Sequence, residues 1–199
     1  MESRKRRALL VIAAAELLAM SLWFSATAAA PELAGEWGLT ATETAWLTIA
    51  VQLGFVAGAF LSSALTLSDV IRPRYLFAGS AVAGAVCTAV IASAVTTAVP
   101  AIALRFLTGV ALAGVYPPGM KILAGWFEEG RGFAIGVLVG ALTVGSALPH
   151  LLRAVGGVGS PRVVLYGAAG LATVGLLLET PADLLDERGG PTGVTETDD

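Results

Sequence analysis

Glu16 and Arg105 are ionisable side chains set inside long apolar runs, AAAELLAM and IALRFLTG. If those runs cross a bilayer, placing either charge near its centre costs roughly 2.5 to 3.5 kcal/mol on insertion scales. Each must then face a wet cavity or a partner, or sit close enough to an interface to snorkel. Counted from the ends of the spans delimited below, Glu16 lies about 12 Å from the inner edge and Arg105 about 8 Å from the outer edge. That leaves about 10 Å between them in a hydrocarbon core of about 30 Å, which two long side chains nearly bridge if their helices face each other. Two functional readings follow, a lining of a solute path or a gating pair, beside the structural one of snorkelling. Other polar groups share these apolar surroundings: Ser21, Trp23, Ser25, Gln52, Thr108, Tyr116, Thr143, Ser146 and His150. Each suits an interhelical hydrogen bond as well as a solute contact, and the His150 imidazole is also of the type that relays protons.

The remaining chemistry is bounded by what is missing. The one cysteine, Cys87, builds neither a disulfide framework nor a metal cluster within a chain. There is no glycine-rich phosphate loop, no metal-ligand pair at motif spacing and no nucleophile flanked by a base, so neither an enzyme nor a bound cofactor or metal is expected. No basic stripe follows the first seven residues, and the formal charge is only -3, which speaks against a nucleic-acid partner.

What must position these residues is a set of membrane spans. Of 199 residues 56% are apolar and 14% charged, and the mean hydropathy is +0.79, whereas soluble domains carry about a quarter charged residues. Six runs have the roughly 20 residues needed to cross hydrocarbon: Ala8 to Ala30, Ala45 to Leu67, Tyr75 to Val95, Pro100 to Tyr116, Gly132 to Leu152 and Val163 to Leu178. From Tyr75 to Tyr116 the sole charge is Arg105, and an unbroken helix there would extend about 63 Å, twice the membrane. The chain must fold back, and Thr96 to Pro100 is the place, where two β-branched polar residues and a proline interrupt the run.

Lysine and arginine set the orientation. With the N-terminus inside, Arg4, Lys5, Arg6, Arg7, Arg72, Arg74, Lys121, Arg131 and Arg188 fall on the cytoplasmic side, against Arg153 and Arg162 outside. The basic start also fits a signal peptide with a cleavage site at Ala28 to Ala30, but the apolar run is longer than such peptides use and contains Glu16, which favours an uncleaved span. Residues 1–7 thus form a basic cytoplasmic N-terminus, 8–180 a six-helix transmembrane domain, and 181–199 a polar, acidic tail expected to be disordered and cytoplasmic.

In lipid, helices associate through small residues that let backbones approach. Gly132, Gly136 and Gly140 repeat at a spacing of four in the fifth span. Gly54 and Gly58 do so in the second, and Gly109 with Ala113 in the fourth. Pro117, Pro118 and Gly119 must bend or end the fourth span, since consecutive prolines remove two backbone donors.

These residues carry a resemblance. Arg105-Phe-Leu-Thr-Gly109 resembles the Arg-x-x-x-Gly signature of the major facilitator superfamily. Gly114-Val-Tyr-Pro-Pro-Gly119-Met-Lys121 and the stretch from Trp126 to Gly136 are similar to its fourth-to-fifth-helix connection. With Ser21-Leu-Trp-Phe-Ser25 and the stretch from Trp46 to Gln52, the chain is most similar to the nitrate/nitrite or cyanate-type branch. The resemblance implies an all-α bundle of two inverted three-helix repeats whose first and fourth helices line a path that opens alternately to either side. It makes Arg105 the signature arginine, places Glu16 on a path-lining helix, and gives Asp69, Arg72 and Arg74 to a gating loop. That loop lacks the usual Gly-x-x-x-Asp-Arg-x-Gly-Arg order, and Gly145-Ser-Ala-Leu-Pro149 replaces the Gly-Pro pair of drug/proton antiporters. The expected function is transport of a small, anionic solute complemented by Arg105, across the cell membrane. Such transporters have two six-helix halves, so a second copy or another subunit is expected to complete this one. The competing expectation is a truncated or non-transporting membrane scaffold.

Overall fold

The computed structural model describes residues 2–127, 129–156 and 161–179. Among them the regular structure is helical: α1 (Glu2–Trp37), α2 (Ala41–Ala64), α3 (Leu67–Val70), α4 (Pro73–Ala94), α5 (Ala98–Leu112), α6 (Tyr116–Trp126), α7 (Arg131–Gly145), α8 (Leu148–Gly156) and α9 (Pro161–Glu179). Five stretches among the described residues are long and apolar enough to cross a membrane: α1, α2, α4, α5 with α6, and α7 with α8. In α9, which covers the sixth expected span, side chains are described only as far as Val174, and it is not among the five. The tail from residue 181 lies outside the described residues.

Local chemistry sets the ends of these helices. α1 runs past the expected end at Ala30, through Pro31, because nothing stops it before Gly38, whose φ of 64° is left-handed. The Leu39 amide then donates to the Ala34 carbonyl at 3.0 Å, closing a Schellman turn. α2 starts earlier than expected because Thr40 and Glu43 form a capping box. The Glu43 amide donates to Thr40 Oγ1 at 3.2 Å, and the Thr40 amide donates to Glu43 Oε2 at 2.8 Å. The fold-back falls at Val95–Thr97, and Pro100 sits in the first turn of α5, where its missing donor is not needed. Before Pro117 and Pro118 α5 ends at Leu112, and after a turn over 113–115 the prolines stand in the first turn of α6, where their missing donors suit a new start. The fourth span therefore continues past Tyr116 to Trp126.

α1 lies at the centre, packed on α9, α7, α8, α2, α6 and α5, and 61% of its most apolar window is buried, against 17% for Arg131–Val155. α2 and α5 approach so closely that their glycines are obligatory. A Cβ at Gly54 would overlap the Phe106 carbonyl, one at Gly58 would meet Val110 and Ala113, and one at Gly109 would overlap the Val51 carbonyl. Gly145 brings α7 against the backbone of Leu17 in the same way. Gly132, Gly136 and Gly140, by contrast, lie on an exposed face with nothing described within 4 Å of where their Cβ atoms would be.

Candidate functional site

Periodicity places Glu16, Met20 and Trp23 on one face of α1, at positions i, i+4 and i+7. Met20 and Trp23 line a cavity of about 310 Å³ together with Phe24, Phe55, Tyr116 and Leu142, whereas Glu16 is not among its lining residues. Its walls therefore come from α1, α2, α6 and α7. The Trp23 ring meets the Phe55 ring edge to face, centroids 5.1 Å apart at 68°, and lies 6.4 Å from the ring of Phe24. Such pairing holds aromatic walls in fixed orientations.

Arg105 is fully buried and ties three helices together through main-chain acceptors. Nη1 donates to the Leu22 carbonyl at 2.8 Å, Nη2 to the Trp23 carbonyl at 2.5 Å, and Nε to the Leu47 carbonyl at 3.2 Å. The guanidinium thus stands behind Trp23 and fixes the stretch of α1 that carries the cavity wall. No bond joins it to Glu16.

Glu16 is also fully buried, yet neither carboxylate oxygen has a hydrogen-bond partner. It lies against Gly119 of α6, where a Cβ would stand 2.8 Å from Oε2, and within electrostatic range of Tyr116. The glycine that follows the two prolines is what makes room for this carboxylate.

The other expected residues scatter. Thr108 is buried and donates to the Leu104 carbonyl at 2.8 Å, and Thr143 is exposed and donates to Val139 at 3.0 Å. Gln52 and His150 are exposed. The expected gating loop is mostly helical: Asp69 lies on the short α3, where it pairs with Lys121 at 2.9 Å, Arg72 caps α4, and Arg74 stands in the first turn of α4. Arg74 stacks over the Tyr75 ring at 4.6 Å, and Arg72 is exposed. Ala113 borders a second cavity, of about 380 Å³, with Ser62, Ser63, Thr66 and Asp69. Phe24, Phe55, Met20 and Leu142 escape a search for polar groups, and their one signal is position on faces shared with Trp23 or Tyr116. Also unforeseen is the Arg153–Glu32 pair, with Nη2 to Oε1 at 2.6 Å, joining α8 to the end of α1. No group of three or more His, Cys, Asp or Glu side chains that could hold a metal ion occurs among the described residues.

Five stretches of membrane-crossing length and apolarity among the described residues mark a multi-pass membrane protein. The family model for the Major Facilitator Superfamily matches residues 12–193, and the chain belongs to that superfamily. No curated protein matches it significantly.

Proposed function

We propose that the chain forms one six-helix half of a major facilitator transporter, built as two inverted three-helix repeats, and moves a small solute by alternating access. The reading takes α9 as the sixth span, with both termini on the cytoplasmic side of the cell membrane and a second copy or another subunit completing the path. Exchanging α1, α2 and α4 with α5–α6, α7–α8 and α9 carries the main contacts onto one another, though α8–α9 has no α2–α4 counterpart. The α2–α5 contact maps to α7–α1, α4–α5 maps to α9–α1, and α4–α9 maps to itself. That exchange supports the repeat.

One observation carries the transport reading: the cavity is walled by the first, second, fourth and fifth spans together. Arg105 serves in this reading as a positioning residue for Trp23. The anionic solute expected from the sequence would need an accessible guanidinium, and Arg105 is fully buried with one N–H of each nitrogen on a main-chain carbonyl. The Asp69–Lys121 pair, between α3 and α6, is the natural gating contact.

The test needs no solute. In a Cys87→Ser background, Phe55→Cys is placed in sealed vesicles and labelled with a membrane-impermeant maleimide added to one side or the other. Labelling from both sides is expected, and labelling confined to one side under every condition defeats alternating access. Native mass spectrometry in nanodiscs then gives the stoichiometry, where a lone chain argues against completion by a second copy.

A further inference from the structure

Neither of the two buried charges belongs to the cavity between α1, α2, α6 and α7. Arg105 is held by three main-chain carbonyls, and Glu16 is enclosed against Gly119, outside the lining. Of the lining side chains Trp23, Phe24, Phe55 and Tyr116 are aromatic, Met20 and Leu142 are aliphatic, and none carries a formal charge. An ion entering this space gives up hydration and meets no countercharge, whereas an uncharged ring gains contacts with the fixed edge-to-face pair of Trp23 and Phe55. The lining still has polar capacity. The Trp23 indole N–H and the Tyr116 hydroxyl are its two donors, and neither has a hydrogen-bond partner among the described residues. Toward the turn between α1 and α2, one turn on from Phe24 and one to two turns back from Phe55, stand Thr27, Gln52 and Thr48. These polar groups are again uncharged, with the two threonine hydroxyls 3.1 Å apart.

We infer that this cavity takes an uncharged one-ring compound with a carbonyl-type acceptor, such as an aromatic amide, its ring among Trp23, Phe24 and Phe55 and its oxygen accepting from the Tyr116 hydroxyl. The volume of about 310 Å³ is at the small end for ligand pockets, which suits one ring with a short substituent. A neutral acceptor pairs a donor and leaves no charge unbalanced in an apolar wall. An anion pairs the same donor but leaves its charge without a countercharge, and a cation finds aromatic faces while both donors stay unpaired. A lipid acyl chain fits the apolar walls too, yet it also leaves both donors unpaired, which favours the amide. The inference rests on the reading of this cavity as a solute site, but it is tested by binding and not by movement.

The experiment is equilibrium dialysis of the full chain in nanodiscs at neutral pH, with empty nanodiscs as the blank. The probes are benzamide, benzoate and benzamidinium, which share size and planarity and differ in charge. Saturable binding of benzamide is expected, with both ions at least tenfold weaker, on the unaltered chain, so the comparison needs no variant. Tyr116→Phe keeps the ring and loses the hydroxyl, and is expected to weaken benzamide binding at least threefold. Equal binding of the three probes, preference for either ion, or a Tyr116→Phe variant that is folded by circular dichroism yet binds unchanged would each overturn the inference. So would the absence of saturable benzamide binding, the result expected if lipid fills the cavity. A cavity that selects benzamide but labels from one side alone would defeat the transport reading and leave this one standing, and two-sided labelling without benzamide binding would do the reverse.

Discussion

Glu16 of α1 and Gly119 of α6 are matched. The carboxylate occupies the space that any side chain at position 119 would enter, with Oε2 2.8 Å from the position of a Cβ there. Because the carboxylate is the far end of a flexible side chain, it can yield to a methyl group more readily than to a branched one. Gly119→Ala is therefore expected to change the melting temperature little, whereas Gly119→Val lowers it. Combining Gly119→Val with Glu16→Ala should recover part of the melting temperature. If the double variant melts no higher than Gly119→Val alone, the two positions are not coupled.

Arg105 bonds carbonyls on two other helices from a planar fork, which a lysine cannot reproduce. Hydrogen bonds from a charged donor contribute about 1.5 to 3 kcal/mol each. Arg105→Lys is expected to cost at least about 2 kcal/mol, read as a lower melting temperature in mild detergent, and to perturb Trp23 fluorescence. A variant that melts like the parent would show that these carbonyl contacts are not made in the membrane.

Two glycine faces separate by substitution. Gly54→Leu and Gly109→Leu drive a side chain into the backbone of the facing helix, and a loss of monodisperse protein in size-exclusion chromatography is expected. Gly136→Leu meets nothing within the described chain and should leave folding intact. If Gly136→Leu lowers oligomer mass while the fold survives, the fifth-span face is where another subunit sits.

Asp69 and Lys121 form an exposed pair, with 73% and 41% of their side-chain surfaces accessible, so their contribution to stability is small, about 0.5 kcal/mol. Asp69→Asn should leave the melting temperature nearly unchanged while shifting the sidedness of Phe55→Cys labelling. A shift in melting with no change in labelling would assign the pair to stability instead of gating.

Much of the architecture is legible in the residues because hydrocarbon allows few solutions. Five of the stretches fall where the apolar runs do, and the fold-back lies at Thr96, where β-branching and Pro100 coincide. Helix ends are less legible, since the Gly38 turn and the Thr40–Glu43 box act outside the apolar runs and move the ends by several residues. Glu16 and Arg105 stand out by charge alone, but their partners do not. Spacing along a chain gives depth in the membrane and says nothing of rotation, which is why Arg105 bonds carbonyls and not Glu16. Glycine periodicity has the same limit. It marks a face without naming what meets it, so the regular fifth-span triple is bare here while Gly54, Gly58 and Gly109 are in close contact.

The junction between α5 and α6 has a mechanical meaning. Pro117 and Pro118 offer no amide to the carbonyls of Ala113 and Gly114, so the rod there lacks two of its internal ties before any motion begins. The ties that remain across the joint are the turn bonds from the Gly114 amide to Ala111 and from Val115 to Leu112, with the Gly119 amide on Val115, so the segment holding the glycine that accommodates Glu16 is more weakly coupled to the anchored Arg105 end than an unbroken helix would make it.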